Sequence, residues 1–255
     1  MAHMGFRAFL SGPQAPLPPG PWSALLAVLM ALVVVAVGQI IPVTLVYFYF
    51  VAISSGSETV TQADVQMVLS GGGSGLLLAS QIAMALLTVF LAGRFKANSA
   101  ETLLLTPPPD GLRAFAHAAL VMVVALACIN AIVFFLNPAA FLLDFEAFRE
   151  LVRAPSPYLI FMAICVGAPL WEELLFRGFL LPPLANKLGF WPAAILVSIA
   201  WSSLHVSYSL YGLVEVFTIG LVFAFLLRQT RSVWVPMACH AGYNSFLFLL
   251  LRFYP

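Results

Sequence analysis

Long apolar runs, separated by short polar or glycine- and proline-rich breaks, fill most of the chain. A membrane-spanning helix needs about 20 apolar residues, and seven runs reach or approach this length. They cover about residues 22–53, 74–95, 111–136, 157–181, 191–205, 210–227 and 233–252. A shorter interfacial helix is expected over 58–69. The pattern therefore predicts an all-α fold, a polytopic transmembrane helical bundle of seven to eight spans.

The breaks between the runs set the expected helix ends and give no indication of a second domain. A glycine-rich break at 71–75 precedes the second span, and the Asn137-Pro138 pair ends the third. The Pro182-Pro183 pair is expected to stop the fourth span, because proline lacks the backbone N–H that continues a helix.

The chain divides into a lead-in and one membrane domain. Residues 1–21 are rich in proline and are expected to be a disordered lead-in, of which Met1–His3 resemble a cloning remnant. Residues 22–156 then supply the N-terminal transmembrane helices, with a kink expected at Pro42. Residues 157–255 supply the helices of the same domain that carry the candidate chemistry.

The composition supports a membrane protein and excludes several other classes. Hydrophobic residues make up 62% of the chain and charged residues 8%, against roughly 25% charged residues in soluble domains. The net charge of +1 gives no indication of a nucleic-acid partner. The three cysteines show neither disulfide nor metal-ligand spacing. The first apolar run is too long for a cleavable signal peptide and predicts a membrane anchor.

The basic residues predict the orientation of the chain, because cytoplasmic loops carry more lysine and arginine than external ones. With the N-terminus inside, seven basic residues fall on the inner side and three on the outer side. The inner ones are Arg7, Arg94, Lys96, Arg113, Lys187, Arg228 and Arg231, and the outer ones are Arg149, Arg153 and Arg252. This asymmetry favours a cytoplasmic N-terminus, although one further half-span would move the C-terminus to the other side.

Two adjacent glutamates, Glu172 and Glu173, interrupt the fourth apolar run. A carboxylate at a helix centre costs roughly 2.5–3.5 kcal/mol on insertion scales, so such residues usually line a cavity. Arg177 follows Glu173 by four residues and shares its helix face, which predicts an ion pair. Glu172 is rotated by about 100° from Glu173 and faces elsewhere. We therefore expect Glu173 and Arg177 to support a site in which Glu172 does the chemistry.

Two further spans contribute polar side chains of a catalytic kind. Trp201 and His205 are four residues apart in the fifth span, and His240 and Asn244 are four apart in the seventh. A glutamate in a low-dielectric site takes up a proton readily, which suits general acid–base work on a water. Histidine and asparagine donors can hold the oxyanion that develops on an attacked carbonyl. His205 alone is equally consistent with an interfacial position at a helix end.

Other polar residues leave alternatives open. One glutamate and two histidines also form some catalytic zinc sites, although the HExxH signature is missing. Glu215, near the start of the sixth span, fits either an outer-surface position or a cavity-facing role. Asn130 is expected to form an interhelical hydrogen bond, and His117 to lie at an interface. The charged residues over 144–153 are expected to form a solvated outer loop.

Three short motifs together resemble one family. EELLFR at 172–177 matches the pattern EExxxR, WSSLH at 201–205 matches an aromatic-xxx-His pattern, and HAGYN at 240–244 matches HxxxN. Their order and spacing over about residues 157–250 resemble the CPBP group, also known as the ABI or CAAX-protease-like family of intramembrane glutamic endopeptidases.

The resemblance implies a membrane peptidase with its site in a polar cavity inside the bilayer. Glu172 and His205 match the residues that activate water, and His240 and Asn244 match the oxyanion donors. It implies no metal cofactor, with zinc as the alternative, and a peptide or membrane-protein substrate that is membrane-associated or lipidated. The compact size resembles bacterial members, which implies the inner (plasma) membrane. Two alternatives remain: a catalytically silent scaffold or bacteriocin-immunity protein of this family, and a proton-coupled carrier.

Overall fold

The computed structural model describes residues 5–11, 16–54, 73–94, 98–153 and 156–253, and within these ranges it contains helices and no strands. The helices are α1 Phe6–Ser11, α2 Ala24–Ser54, α3 Gly73–Gly93, α4 Ser99–Thr102, α5 Leu112–Leu136, α6 Pro138–Val152, α7 Pro157–Leu188, α8 Phe190–Ser202, α9 Leu210–Thr230 and α10 Trp234–Phe253. Each of the seven predicted runs contains a helix. The interfacial helix predicted over 58–69 lies outside the described residues.

Five of the described helices are long and apolar enough to cross a membrane: α2, over Ala24–Phe48, with α3, α5, α7 and α9. The segment Phe190–His205, made of α8 and a following 3₁₀ turn, is apolar but shorter. Helix α10 has 20 residues and a more polar sequence, because it carries two of the predicted site residues. These helices confirm the predicted all-α polytopic bundle.

The distribution of polar and apolar side chains is the reverse of that in a soluble protein. Large apolar side chains point outward, as with Leu112 at 86% exposed and Phe135 at 83% exposed. By contrast, Glu173 and Arg177 in α7 are fully buried. Outward apolar surface stabilises a helical bundle in lipid, where buried charges must be paired inside the protein. The chain is an integral membrane protein.

Helix α7 runs through the middle of the bundle and has an irregular backbone. Two π-helical segments, Met162–Gly167 and Glu173–Leu180, flank one regular turn, Ala168–Glu172. The helix also continues through Pro182-Pro183 to Leu188, so the predicted stop at these prolines is wrong. The wide π turn before them already shifts the backbone hydrogen bonds, as in the bond from the Leu181 N–H to the Phe176 carbonyl. The missing proline N–H groups therefore cost less than in a regular helix.

The lead-in is packed against the bundle where the structure describes it, which corrects the prediction that residues 1–21 are disordered. Phe9 in α1 is 1% exposed, and its ring lies 5.2 Å from that of His117 in α5. Leu17 is also buried, and its carbonyl accepts a hydrogen bond from Asn186 Nδ2 at 3.0 Å. The buried apolar side chains of Phe9 and Leu17 hold this segment against the bundle. The rings of Phe6 and Phe9 in α1 pack on His117.

Candidate functional site

A cavity of about 210 Å³ lies inside the bundle and brings the predicted site residues together. Glu172 from α7, His205 from the turn after α8, and His240 and Asn244 from α10 all line it. Helices α3, α6 and α9 close the remaining sides. Side chains from three motifs, which are 33 to 72 residues apart in sequence, therefore line one cavity, as the motifs predict.

Glu172 faces the cavity, at the end of the regular turn between the two π segments. Its side chain is buried, and Trp201 Nε1 donates a hydrogen bond of 2.5 Å to its Oε2. Glu172 is thus held by an indole N–H rather than by a cation. The two neighbouring glutamates have different partners, as the predicted rotation between them implies, because Glu173 contacts Arg177 and His240.

Glu173, the next residue of α7, forms a buried ion pair with Arg177. Arg177 Nη1 lies 3.1 Å from Glu173 Oε1, and both side chains are fully buried. The guanidinium also stacks 4.4 Å above the ring of Trp201 and donates to the Gly220 carbonyl at 3.4 Å. The predicted ion pair is present. Stacking and hydrogen bonding compensate for the removal of the arginine from water.

His240 contacts the same oxygen of Glu173 as Arg177 does, and the sequence did not indicate this contact. His240 Nδ1 lies 3.0 Å from Glu173 Oε1, and the ring stacks on Phe223 with 5.1 Å between ring centroids. With Nδ1–H donating to Glu173, the ring orientation is fixed and Nε2 remains for other partners. Glu173 therefore orients His240 in addition to pairing with Arg177.

His205 lies in the 3₁₀ turn that follows α8, partly buried at the cavity wall. Its Nδ1 lies 3.2 Å from the Trp201 carbonyl, so Nδ1–H donates to the backbone and Nε2 keeps its lone pair. The ring also contacts Trp201 and Tyr208, with centroids 5.4 and 5.6 Å away. His205 therefore lies near a helix end, as the interfacial alternative expects, and it also lines the cavity.

Asn244 is tied to a backbone carbonyl that α7 leaves without its usual partner. Its Nδ2 donates to the Ile164 carbonyl at 2.8 Å. In the π segment the Ala168 N–H binds the Ala163 carbonyl instead, and Pro169 has no N–H to offer. This contact uses one of the two amide N–H groups of Asn244 and leaves the other for the cavity.

Glu215 lines the same cavity, which decides between the two alternatives for this residue. Its Oε1 accepts hydrogen bonds from Asn130 Nδ2 at 3.1 Å and from Tyr243 Oη at 2.9 Å. The expected interhelical bond of Asn130 is thus present, and Glu215 connects α5, α9 and α10 beside the candidate site.

Asp144 corrects the prediction that residues 144–153 form a solvated loop. Residues 144–152 belong to helix α6, and Asp144 lines the cavity. Its carboxylate accepts from Ser209 N at 2.8 Å and from Ser209 Oγ at 2.5 Å. Ser209 Oγ in turn accepts from Gly212 N at 3.1 Å, so Asp144 secures the N-terminal cap of α9. The charge pattern could not indicate this, because Asp144 has oppositely charged neighbours typical of an exposed segment.

Trp201, Tyr208 and Gln81 also line the cavity, and the sequence indicated no role for them. Trp201 could have been found from its position four residues before His205, since a buried indole N–H needs an acceptor. Tyr208, in the connection between α8 and α9, keeps its hydroxyl proton, because burial raises its pKa to about 12. Gln81 approaches α7 because Gly167 has no side chain: a Cβ there would lie 2.3 Å from Gln81 Oε1.

No three His, Cys, Asp or Glu side chains of the described ranges are placed to hold a metal ion together. His240 Nδ1 is turned toward Glu173, and His205 Nδ1 toward a backbone carbonyl. The three cysteines are free, and Cys128 is exposed.

Two comparisons with known proteins give a match. Residues 154–246 match the model of the Rce1-like family, described as "Type II CAAX prenyl endopeptidase Rce1-like". Over 105 residues the chain is 30% identical to a Bacillus subtilis protein named "Putative membrane peptidase YdiL", and the match covers 41% of each chain. The chain thus spans about two fifths of the length of this curated relative. No solved structure gives a significant match.

The family match covers the segment that carries all three motifs and confirms the resemblance to the CAAX-protease-like group over this part of the chain. It adds no information on residues 1–153, of which α3 and α6 contribute side chains to the cavity.

Proposed function

We propose that this protein is an intramembrane endopeptidase of the glutamic type, which hydrolyses a peptide bond in a membrane-associated or lipidated substrate. The observation that carries the proposal is the convergence of Glu172, His205, His240 and Asn244 on one cavity inside the bundle. The Rce1-like match over the same segment supports peptidase chemistry.

In this proposal Glu172 and His205 activate the attacking water. Trp201 holds one carboxylate oxygen of Glu172, which leaves the other to accept a proton from water. His205 presents the lone pair of Nε2 as a second acceptor that orients the water. The water oxygen bonds to the peptide carbon while its proton passes to Glu172. Glu172 then returns that proton to the amine nitrogen as the C–N bond breaks.

His240 and Asn244 would stabilise the oxyanion formed by this attack. The buried cluster contains two carboxylates, Glu172 and Glu173, and one guanidinium, Arg177. It becomes electrically neutral when His240 is protonated, with Nδ1–H on Glu173 and Nε2–H free to donate to the oxyanion. The free N–H of Asn244 provides the second donor.

An Asn244→Ala variant tests the second oxyanion donor. We expect kcat to fall by about 10²- to 10³-fold with little change in KM, because the donor acts mainly on the developing charge. Steady-state kinetics of the purified protein in nanodiscs measures both constants. Asn130→Ala is the matched control, since Asn130 also donates to a helix carbonyl, that of Leu126. Equal losses of kcat in the two variants would contradict the oxyanion role.

The metal-free mechanism makes its own prediction. Incubation with EDTA or 1,10-phenanthroline, followed by removal of the chelator, is expected to leave hydrolysis unchanged, because the water is activated by Glu172 and His205. The measurement is the initial rate before and after treatment, with added Zn²⁺ as a further arm. Loss of activity that Zn²⁺ restores would assign these side chains to a zinc site instead.

A second, apolar cavity supports a substrate with a hydrocarbon or membrane-embedded portion. It has a volume of about 700 Å³ between α5, α6 and α10. It shares Phe145, Tyr243 and Leu247 with the polar cavity, so the two spaces adjoin. We further propose that the protein resides in a bacterial inner (plasma) membrane with a cytoplasmic N-terminus, as the distribution of basic residues favours.

The activity can be tested directly in liposomes. Purified protein is reconstituted with membrane proteins extracted from a host that lacks it, and new peptide termini are identified by mass spectrometry. The proposal predicts termini that accumulate with time and are absent with the Glu172→Gln variant. Unchanged termini, with correctly folded protein, would favour the catalytically silent scaffold of the same family.

A further inference from the structure

Trp201 occupies the centre of the candidate site and contacts several of its charged or titratable groups. Its indole Nε1 donates to Glu172 Oε2, and the side chain is 3% exposed. The guanidinium of Arg177 lies 4.4 Å from its ring centroid, and the rings of His205 and His240 lie 5.4 and 5.6 Å away. These contacts restrain the indole on several sides, so its N–H has a defined direction.

The direction of this N–H matters because a glutamate carboxylate otherwise rotates easily about its terminal bond. A donor fixed on Oε2 restricts that rotation and determines which oxygen is presented to the cavity. Gly220 in α9 makes room for the indole: a Cβ at this position would lie 3.1 Å from Trp201 Cε3. The indole therefore packs closely against Gly220, and this packing helps to orient its N–H toward Glu172.

We propose that Trp201 is a positioning residue, whose indole N–H holds Oε2 of Glu172 so that Oε1 faces the water. This inference rests on the proposed function and deepens it by assigning a role to the aromatic residue of the second motif. A phenylalanine in this place would keep an aromatic ring and lose the N–H together with the five-membered ring of the indole. Glu172→Gln leaves the indole whole, and it therefore separates the contribution of the hydrogen bond from that of the ring.

Other titratable or charged groups also surround the cavity that Glu172 faces. The titratable or charged groups in question are Glu173 and Arg177 in α7, His205 and Tyr208 after α8, Glu215 in α9, His240 and Tyr243 in α10, and Asp144 in α6. Trp201→Phe changes none of these neighbouring residues and removes the indole N–H together with the five-membered ring.

The contact can be measured without a substrate. The chain has five tryptophans, so ¹⁵N-indole labelling gives five Nε1–H signals in detergent micelles. Trp201→Phe identifies the Trp201 signal by its loss, and the four remaining signals report whether the variant is folded. We expect Glu172→Gln to shift the Trp201 signal upfield, because a neutral amide is a weaker acceptor than a carboxylate. An unmoved Trp201 signal in folded Glu172→Gln would overturn the inference.

The consequence for catalysis is measured on a fluorogenic peptide that spans the cleavage site found in the liposome experiment. Trp201→Phe is expected to lower kcat/KM by about 10- to 100-fold, mainly through kcat, in line with a hydrogen bond to a charged group. A purely structural role for the indole would lower stability without this division between kcat and KM.

Trp171→Phe provides the matched control in the same helix as Glu172. Trp171 is also buried, but its Nε1 donates to no group of the described residues. We expect this variant to keep the activity of the wild type. Wild-type activity in Trp201→Phe would overturn the positioning role. If the indole shift is present but the wild type hydrolyses nothing, the proposed function fails and the contact is structural only.

Discussion

Replacement of Arg177 by alanine is expected to lower the stability of the bundle by about 3–5 kcal/mol, because it leaves the Glu173 carboxylate buried without its cation. Both side chains are fully buried, and their closest atoms lie 3.1 Å apart. The substitution also removes the guanidinium that stacks on Trp201. Reversible unfolding in mixed micelles, followed by circular dichroism, measures the loss.

Arg149→Ala is the control for this prediction. Arg149 forms an ion pair with Glu146 at 3.0 Å, close to the 3.1 Å of the Glu173–Arg177 pair. However, the Glu146 side chain is 61% exposed. Exposed pairs contribute about 0–1 kcal/mol, so the control is expected to unfold nearly as the wild type does. Similar losses in the two variants would mean that the Glu173–Arg177 pair contributes no more than a surface pair.

Glu172→Gln is expected to abolish hydrolysis while preserving the fold. Removing a general base typically costs about 10²- to 10⁴-fold in rate, and glutamine has nearly the same size as glutamate. Glutamine can still accept the hydrogen bond from Trp201 through its carbonyl oxygen, so the packing is retained. The measurement is the single-turnover rate on the identified substrate, together with the unfolding transition of the variant.

Glu215→Gln distinguishes a specific role of Glu172 from a general need for negative charge in the cavity. Both carboxylates line the same space, but Glu215 Oε1 is engaged by Asn130 and Tyr243. We expect this variant to keep most of the activity. If Glu215→Gln were inactive and Glu172→Gln active, the assignment of the base would have to move to Glu215.

The sequence predicted the local geometry of the site well, because that geometry follows from helix periodicity. The four-residue spacing of Glu173 and Arg177 indicated their pairing, and the rotation between Glu172 and Glu173 indicated their different partners. The convergence of three separate helices could not be derived from spacing. It was predicted from the order of the motifs in a known family.

The remaining features depend on tertiary contacts that no local pattern reveals. Asp144 caps α9 across the cavity, and His240 binds Glu173 at a separation of 67 residues. Phe9 is buried although it lies next to a proline-rich segment, because the bundle offers a site for it. Helix α7 passes through Pro182-Pro183 because a π turn precedes them, and the apolar pattern alone does not distinguish a π turn from an α turn.

The most direct test of the central claim is a comparison of peptide termini in membranes from cells that produce either the wild type or Glu172→Gln in equal amounts. New termini near membrane segments or lipidated tails are expected with the wild type and none with the variant. Identical termini in the two membranes, with both proteins folded, would contradict the claim that Glu172 activates water for peptide-bond hydrolysis.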